Sequence, residues 1–203
     1  MKTQEKIDLY KLNKSAYVAK RKPVMVELEP ARYLTIDGQG APGGQEFTAC
    51  IGALYGMAFT IKMTRKFGGL QDYGVCKLEG LWWSDSTPDL GKMKPEEWCW
   101  KLLIRTPDFV TRADLAKAVA TLLKRGKGQE VKRVKLEELK EGTCVQMLHV
   151  GPYDKECETI ALMKAFAESK GRRFHGRHHE IYLSDPRRVP PERLKTILRE
   201  PVV

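Results

Sequence analysis

A glutamate sits at the centre of the segment His178-His179-Glu180-Ile181-Tyr182-Leu183-Ser184-Asp185-Pro186, between two histidines and a tyrosine. The apolar and aromatic run, closed by Ser-Asp-Pro, reads as a β-strand ending in a turn. Alternate side chains of a strand face opposite ways. His178, Glu180 and Tyr182 therefore share one face, and His179, Ile181 and Leu183 the other. The second face suits a core. On the first, a carboxylate withdrawn from water needs a cation, a hydrogen-bond donor or a proton. Held beside a water molecule such a group is a general base. Other reactive constellations are absent from the spacing. No Ser-His-Asp or Cys-His set can be argued, and Gly43-Gly44 and Gly68-Gly69 precede no phosphate-binding pattern. Adjacent strand residues face apart, so His178 and His179 do not suit one ion, and no H-E-x-x-H helix exists. Neither a metal nor a cofactor is expected.

Four tryptophans supply the large rings. Trp82-Trp83 place one ring on each side of a strand, while Trp98 and Trp100 share a side. In each pair a ring can be core or pocket wall.

The elements that must position these residues occur twice. Residues 1–22 read as a polar, Lys-rich leader. A strand through Val24–Ile36, bent near Pro30, leads into a Gly/Pro-rich loop at Asp37–Gly44. A helix follows over about Glu46–Lys66, with Phe47, Ile51, Leu54, Ala58 and Ile61 as its apolar stripe. Strands at Gly74–Ser84 and Trp98–Arg105 complete the first set. The next helix is capped by Thr111, carries Asp114 near its positive end and closes at Gly126. Lys124–Arg133 reads as a linker. Strand segments at Val131–Leu136 and Thr143–Val150, a Gly151-Pro152-Tyr153 turn, a helix at about Asp154–Lys170, the Glu180 strand and a last strand near Thr196–Pro201 repeat the order.

The letters repeat too. Trp82-Trp83-Ser84-Asp85 matches Tyr182-Leu183-Ser184-Asp185, Pro95-Glu96 matches Pro191-Glu192, and Lys101–Pro107 matches Lys195–Pro201. The expected architecture is α+β: two pseudo-symmetric β-α-β-β modules in a mostly antiparallel sheet, with helices on one face and a central cleft. Module one spans 23–107, a connecting helix 108–130, and module two 131–203. With the Ser-Asp pairs aligned, Glu180 falls opposite Gly80 and Glu79 lies one place off. The site should then hold one acid facing a glycine-lined, Trp-rich wall, with Glu79 directed into solvent or a salt bridge.

The chain of 203 residues, 42% hydrophobic and 31% charged, suits one sizeable folded domain. No run of about 18 apolar residues suggests a membrane span, and the first residues do not read as a secretory signal. Five cysteines without a C-x-x-C pair fit reduced thiols in the cytoplasm. The net charge of +10 gathers in Lys11–Lys22 and in the tail. No nucleic-acid-binding motif accompanies it, so a nucleic-acid partner is not expected.

His149-Val150-Gly151-Pro152-Tyr153, its following helix, and His179–Pro186 together resemble the GyrI-like small-molecule-binding domains. Leu78-Glu79-Gly80-Leu81-Trp82-Trp83 and Lys195–Pro201 resemble one stand-alone subgroup, the cyclopropanoid cyclopropyl hydrolases. The resemblance covers about residues 22–203. It implies two modules around a cleft, a glutamate deep in an aromatic pocket that attracts lipophilic cations, and a lipophilic aromatic ligand. In the subgroup it implies ring-opening of DNA-alkylating natural products related to yatakemycin and the duocarmycins, a detoxifying activity. Carried over, Glu180 is the candidate base and Tyr153 a candidate donor. Tyr182, Trp82, Trp100, Tyr55, His178 and Gly80 are the candidate ligand contacts. The alternative is a sensor or sequestering protein without turnover.

Overall fold

Pro30 separates two strands rather than bending one. In the computed structural model, which describes residues 5–84 and 94–203, β1 (Val24–Leu28) and β2 (Ala31–Gln39) lie on either side of it and pair with different neighbours. The first half continues with helix α3 (Gln45–Phe67), β3 (Glu79–Trp83) and β4 (Cys99–Arg105), and helix α4 (Arg112–Lys124) follows. The second half contains β5 (Lys135–Leu139), β6 (Gly142–Val150), helix α5 (Glu156–Ser169), β7 (His178–Tyr182) and β8 (Lys195–Pro201). The strands form one sheet in the order β1-β6-β8-β7-β3-β4-β2-β5, with every neighbouring pair antiparallel. Each half lends its first strand to the other: β1 pairs with β6, and β5 with β2. Only Glu29 and Pro30 join β1 to β2 although these lie near opposite ends of the strand order, so the sheet curls into a half-barrel.

The matched letters fall on matched structure. Pro95–Glu97 and Pro191–Arg193 each form a short 3-10 turn just before β4 and β8. Asp85, the last letter of the Trp-Trp-Ser-Asp match, lies outside the described residues. Two expected strand segments differ: residues 74–78 are outside any strand and β3 begins only at Glu79, and Gln129–Arg133 forms a 3-10 turn, so β5 begins only at Lys135.

Helices α3, α4 and α5 lie on the face that carries Glu180. Leu54, Met57, Ala58 and Ile61 of α3 pack with Leu34, Ile36, Trp100, Leu102 and Ile104 of the sheet. Met163 and Ala167 of α5 pack with Val145, Met147 and Leu198. Although α3 is long and apolar enough to cross a membrane, its buried stripe makes it the core helix of the first half. Helix α4 begins in a reciprocal cap: the Asp114 amide donates to the Thr111 hydroxyl at 3.2 Å, and the Thr111 amide to the Asp114 carboxylate at 2.9 Å. It then packs on α3, held also by the Arg65–Asp114 ion pair at 3.1 Å.

The described part of the Lys-rich leader is not detached. It folds as α1 (Leu9–Leu12) and α2 (Lys14–Tyr17) against the opposite face of the sheet, where Ala16 and Tyr17 pack on Leu28, Cys144, Ile181 and Ile197. Its lysines face water while Leu9, Ala16 and Tyr17 are buried, a pattern too short to show helical periodicity in the sequence.

Candidate functional site

The two halves meet where β3 pairs with β7, with Gly80 directly opposite Glu180 and Trp82 opposite His178. The letter alignment and the strand register thus agree on one point, and the pseudo-twofold axis passes between Gly80 and Glu180. Directly opposed residues share a face of the sheet. Gly80, Trp82, His178, Glu180 and Tyr182 therefore project together towards the helices.

Gly80 is required by close approach. A β-carbon there would lie 2.8 Å from Trp82 Nε1 and 3.1 Å from the Tyr182 hydroxyl. Those two groups meet above the glycine, where Trp82 Nε1 donates to the Tyr182 oxygen at 3.0 Å. The glycine of one half thus makes room for a ring pair contributed by both.

The carboxyl groups around this point form a chain. Glu200 on β8 meets His178 Nδ1 at 2.5 Å, and His178 Nε2 lies 3.3 Å from Glu180. Glu156, the first residue of α5, approaches both: donor atoms of Glu156, His178 and Glu180 all lie within 4.8 Å of one another. All are buried, with relative exposures of 6% for Glu156 and His178 and 9% for Glu180. Burial would hold His178 neutral, but the two carboxylates on its nitrogens outweigh this and raise its pKa well above the ordinary value. Burial, then the nearby charge of Glu180, pushes Glu156 up to about 9, so it carries a proton at neutral pH. The resting cluster is thus an imidazolium between two glutamates, with a neutral carboxylic acid alongside.

Tyrosines frame the outer side. The Tyr153 ring stands edge-on to Tyr182 with centroids 6.0 Å apart and is 40% exposed, which places it where the cluster reaches solvent. Burial and then Glu180 push its phenol up to about 12, and the same two causes raise Tyr182 well above the ordinary tyrosine value. Both phenols remain protonated donors at neutral pH. Trp82 is flanked by Trp98 at 5.5 Å and Phe47 at 5.7 Å.

Two expected contacts differ. Trp100 is fully buried, its ring filling the space a side chain at Gly38 would need and packing edge-on to Phe47. It packs in the same buried cluster as Trp82, on the same face of the sheet and one strand further out. Tyr55 spends its hydroxyl on the Leu78 amide at 3.0 Å, while the Leu78 carbonyl accepts from the Tyr182 amide. It fixes the approach to β3 and lies behind the rings. Phe47 reads in the sequence only as part of a helix stripe, and Glu156 and Glu200 carry no signal of a site by themselves. An acid at a helix start ordinarily complements the helix dipole, which disguised Glu156. Glu200 shares the strand parity of Leu198, a usable sign once β8 is known to flank β7.

Of the two expectations for Glu79, the ion pair holds and solvent does not: it points away from the cluster and meets His179. On the opposite face it is fully buried, 3.0 Å from His179 Nε2, and accepts from the Tyr17 hydroxyl at 2.9 Å. His179 continues to Glu141 at 2.8 Å, and Glu141 to Arg199 at 2.9 Å. Arg199 also donates to the Ala16 carbonyl and to Gln146. This second network anchors the N-terminal helices to the sheet. Burial would raise Glu141, but His179 and Arg199 outweigh it and hold its carboxyl at about 2.

Two cavities lie away from the Glu180 cluster. One of about 470 Å³ runs beside His149, Pro152, Lys155 and Thr159, and one of about 80 Å³ lies between Tyr33, Arg105, Glu141 and Arg199.

Comparison with known proteins bears on this arrangement. The family model described as GyrI-like small molecule binding domain matches residues 21–202. A crystal structure of an uncharacterized conserved protein from Listeria innocua is similar at 42% identity and a TM-score of 0.92, covering 98% of this chain and 100% of that one. A hydrolase from Listeria innocua is 41% identical with a TM-score of 0.88 and the same coverage. The C-terminal domain of EcmrR shares the fold at 12% identity and a TM-score of 0.57, over 90% of this chain and 97% of that one. No curated protein matches the chain.

Proposed function

Because the chain belongs to the GyrI-like small-molecule-binding domain family, we propose that it takes a flat, lipophilic, cationic or electrophilic molecule against Trp82, Tyr182 and Tyr153 and opens the cyclopropane ring of cyclopropanoid DNA-alkylating compounds. The observation that carries this reading is the register of Gly80 opposite Glu180, with the Trp82–Tyr182 pair above the glycine. It sets one carboxylate beside a wall of rings at the junction of the halves. The 41% identity to a hydrolase from Listeria innocua supports turnover.

In such a substrate the strained ring is conjugated to a dienone. Glu180 accepts a proton from water as the water oxygen attacks the exposed ring carbon. The carbon–carbon bond breaks, and its electron pair passes through the conjugated system to the carbonyl oxygen, which becomes a phenolate. The Tyr153 or Tyr182 phenol donates a hydrogen bond to that oxygen as charge develops. Glu156, protonated beside Glu180, keeps the pair at a single negative charge, which suits an incoming cation. The aromatic walls hold the flat ligand in line for attack.

A second reading is a sensor or sequestering protein in the cytoplasm, favoured by the burial of Glu180, which leaves its carboxylate little contact with water. Incubation of the protein with a duocarmycin-type cyclopropane separates the two. Water-added, ring-opened product in many-fold excess over protein supports hydrolysis. Stoichiometric binding without product supports the second reading.

A further inference from the structure

Glu156, His178 and Glu180 converge from two elements. His178 and Glu180 stand two residues apart on one face of β7, and Glu156 opens α5. Adjacent His178 and His179 face apart as expected, so the strand alone makes no ion site, but a helix supplies the donor that the sequence does not place there. Each of the three offers one ligand atom within 4.8 Å of the others, and all three are buried.

Two observations outside the trio bear on its use. The first is Glu200, 2.5 Å from His178 Nδ1. A carboxylate on the far nitrogen of an imidazole fixes the ring orientation and leaves the near nitrogen as a ligand. The second is Thr196 on β8, directly opposite Tyr182 and 1% exposed, whose hydroxyl has no hydrogen-bond partner among the described residues. It lies beside Glu156, close enough for the hydroxyl to interact with that carboxyl, whose Oε1 is buried without a partner in good hydrogen-bond geometry. The two polar side chains meet next to the Glu180 carboxylate and the His178 imidazole, where a water on an ion completes both.

We propose that Glu156, His178 and Glu180 bind a divalent transition-metal ion, with zinc the best fit, while Glu200 orients His178 and the Thr196 hydroxyl takes a hydrogen bond from, or gives one to, a water on the ion. Imidazole with two carboxylates is a nitrogen–oxygen set that suits zinc and is poorly matched to magnesium. Three protein ligands leave a fourth position open. Three carboxyl groups around one imidazole also supply the negative charge that a buried dication needs. The groups around the ion are Glu156, His178, Glu180, Tyr153, Tyr182 and Thr196, with Glu200 behind the imidazole. The ion occupies the carboxylates that would attract an organic cation, so the two compete. The inference is independent of the hydrolase reading, because it asks only whether these side chains hold an ion.

The experiment is calorimetric titration of zinc chloride into chelator-stripped full-length protein, with wild type, Glu156→Gln, Glu180→Gln and Glu168→Gln, the last at an exposed position late in α5. One ion per chain is expected. Either variant at Glu156 or Glu180 should weaken binding by about tenfold or more, a loss typical of altered metal sites, and Glu168→Gln should leave it within a few-fold. Circular dichroism confirms that each variant is folded. Cobalt in the wild-type protein gives a readout that needs no variant: a visible spectrum of four-coordinate nitrogen and oxygen ligation supports the site. A thiolate charge-transfer band would put the ion at a cysteine such as the exposed Cys157 and overturn the proposal. Absence of binding, or binding indifferent to both Glu156→Gln and Glu180→Gln, would overturn it as well.

Discussion

Replacing Gly80 by alanine probes the junction of the halves with one carbon atom. The new β-carbon would lie 2.8 Å from Trp82 Nε1, 3.1 Å from the Tyr182 hydroxyl and 3.3 Å from Trp82 Cε2. Trp82 is buried and Tyr182 half-buried, so relief comes from parting the rings and opening their 3.0 Å hydrogen bond. Overpacking costs about 1–3 kcal/mol, and the lost hydrogen bond about 0.5–1.5 kcal/mol. Alanine restricts the unfolded chain and returns about 0.5–1 kcal/mol. The net is a destabilisation of about 1–3 kcal/mol. For a chain of this size each kcal/mol lowers the melting midpoint by about 2–4 °C, which gives a fall of about 2–12 °C. Thermal melts followed by circular dichroism and indole fluorescence read this directly, and titration with an aromatic cationic dye reads the site. The variant should bind the dye more weakly, because the ring wall has moved. A variant that melts with wild type and binds the dye equally well would refute the idea that the ring pair rests on Gly80.

Other perturbations have distinct signatures. Glu141 is held at about 2 against an ordinary 4.5, which corresponds to about 3 kcal/mol of stability. Because the folded value is the lower one, this contribution is complete above about pH 4.5 and is lost as pH falls towards 2. Acid titration of stability should show that loss in wild type and not in Glu141→Gln, which is destabilised at neutral pH by uncompensated Arg199. Glu156 has the opposite sign: its folded value of about 9 lies above 4.5, so its contribution is complete below about pH 4.5 and fades as pH rises through 9. Glu156→Gln should therefore be stabilised relative to wild type at pH 8 by about 1 kcal/mol or more, measured by urea unfolding. Trp100→Ala should cost about 3–5 kcal/mol, as expected for deleting a fully buried ring, whereas Tyr153→Phe should leave the melting point unchanged and lower turnover only.

What the sequence reveals depends on how local each interaction is. The alternation around Glu180 and the Gly80 alignment were legible because strand parity and a duplicated unit are written in consecutive letters, and the register placed those residues directly opposite. The capping box at Thr111 was legible for the same reason. Pro30 was visible as an interruption, but the strands on either side part because β1 pairs more than 100 residues away with β6, while β2 pairs with β4 and β5. The N-terminal helices were missed because their burial depends on Arg199 and Gln146 reaching back to Ala16 and Ser15 carbonyls. Trp100 and Trp82 look alike in sequence and pack under Phe47 of α3 in one buried cluster; only the pairing of β3 with β7 brings Trp82 to the Tyr182 hydroxyl. Glu156 belongs to the cluster through the placement of α5, which no spacing within β7 reports.

The most direct test of the central claim compares wild type with Glu180→Gln in turnover of a duocarmycin-type cyclopropane, with dye affinity measured on the same samples. Glutamine preserves the shape and removes the base, so ring-opening should fall by about 10²–10⁴-fold, the usual contribution of general base catalysis, while the protein remains folded. A variant that opens the ring as fast as wild type and holds an aromatic cation as tightly would contradict the assignment of Glu180.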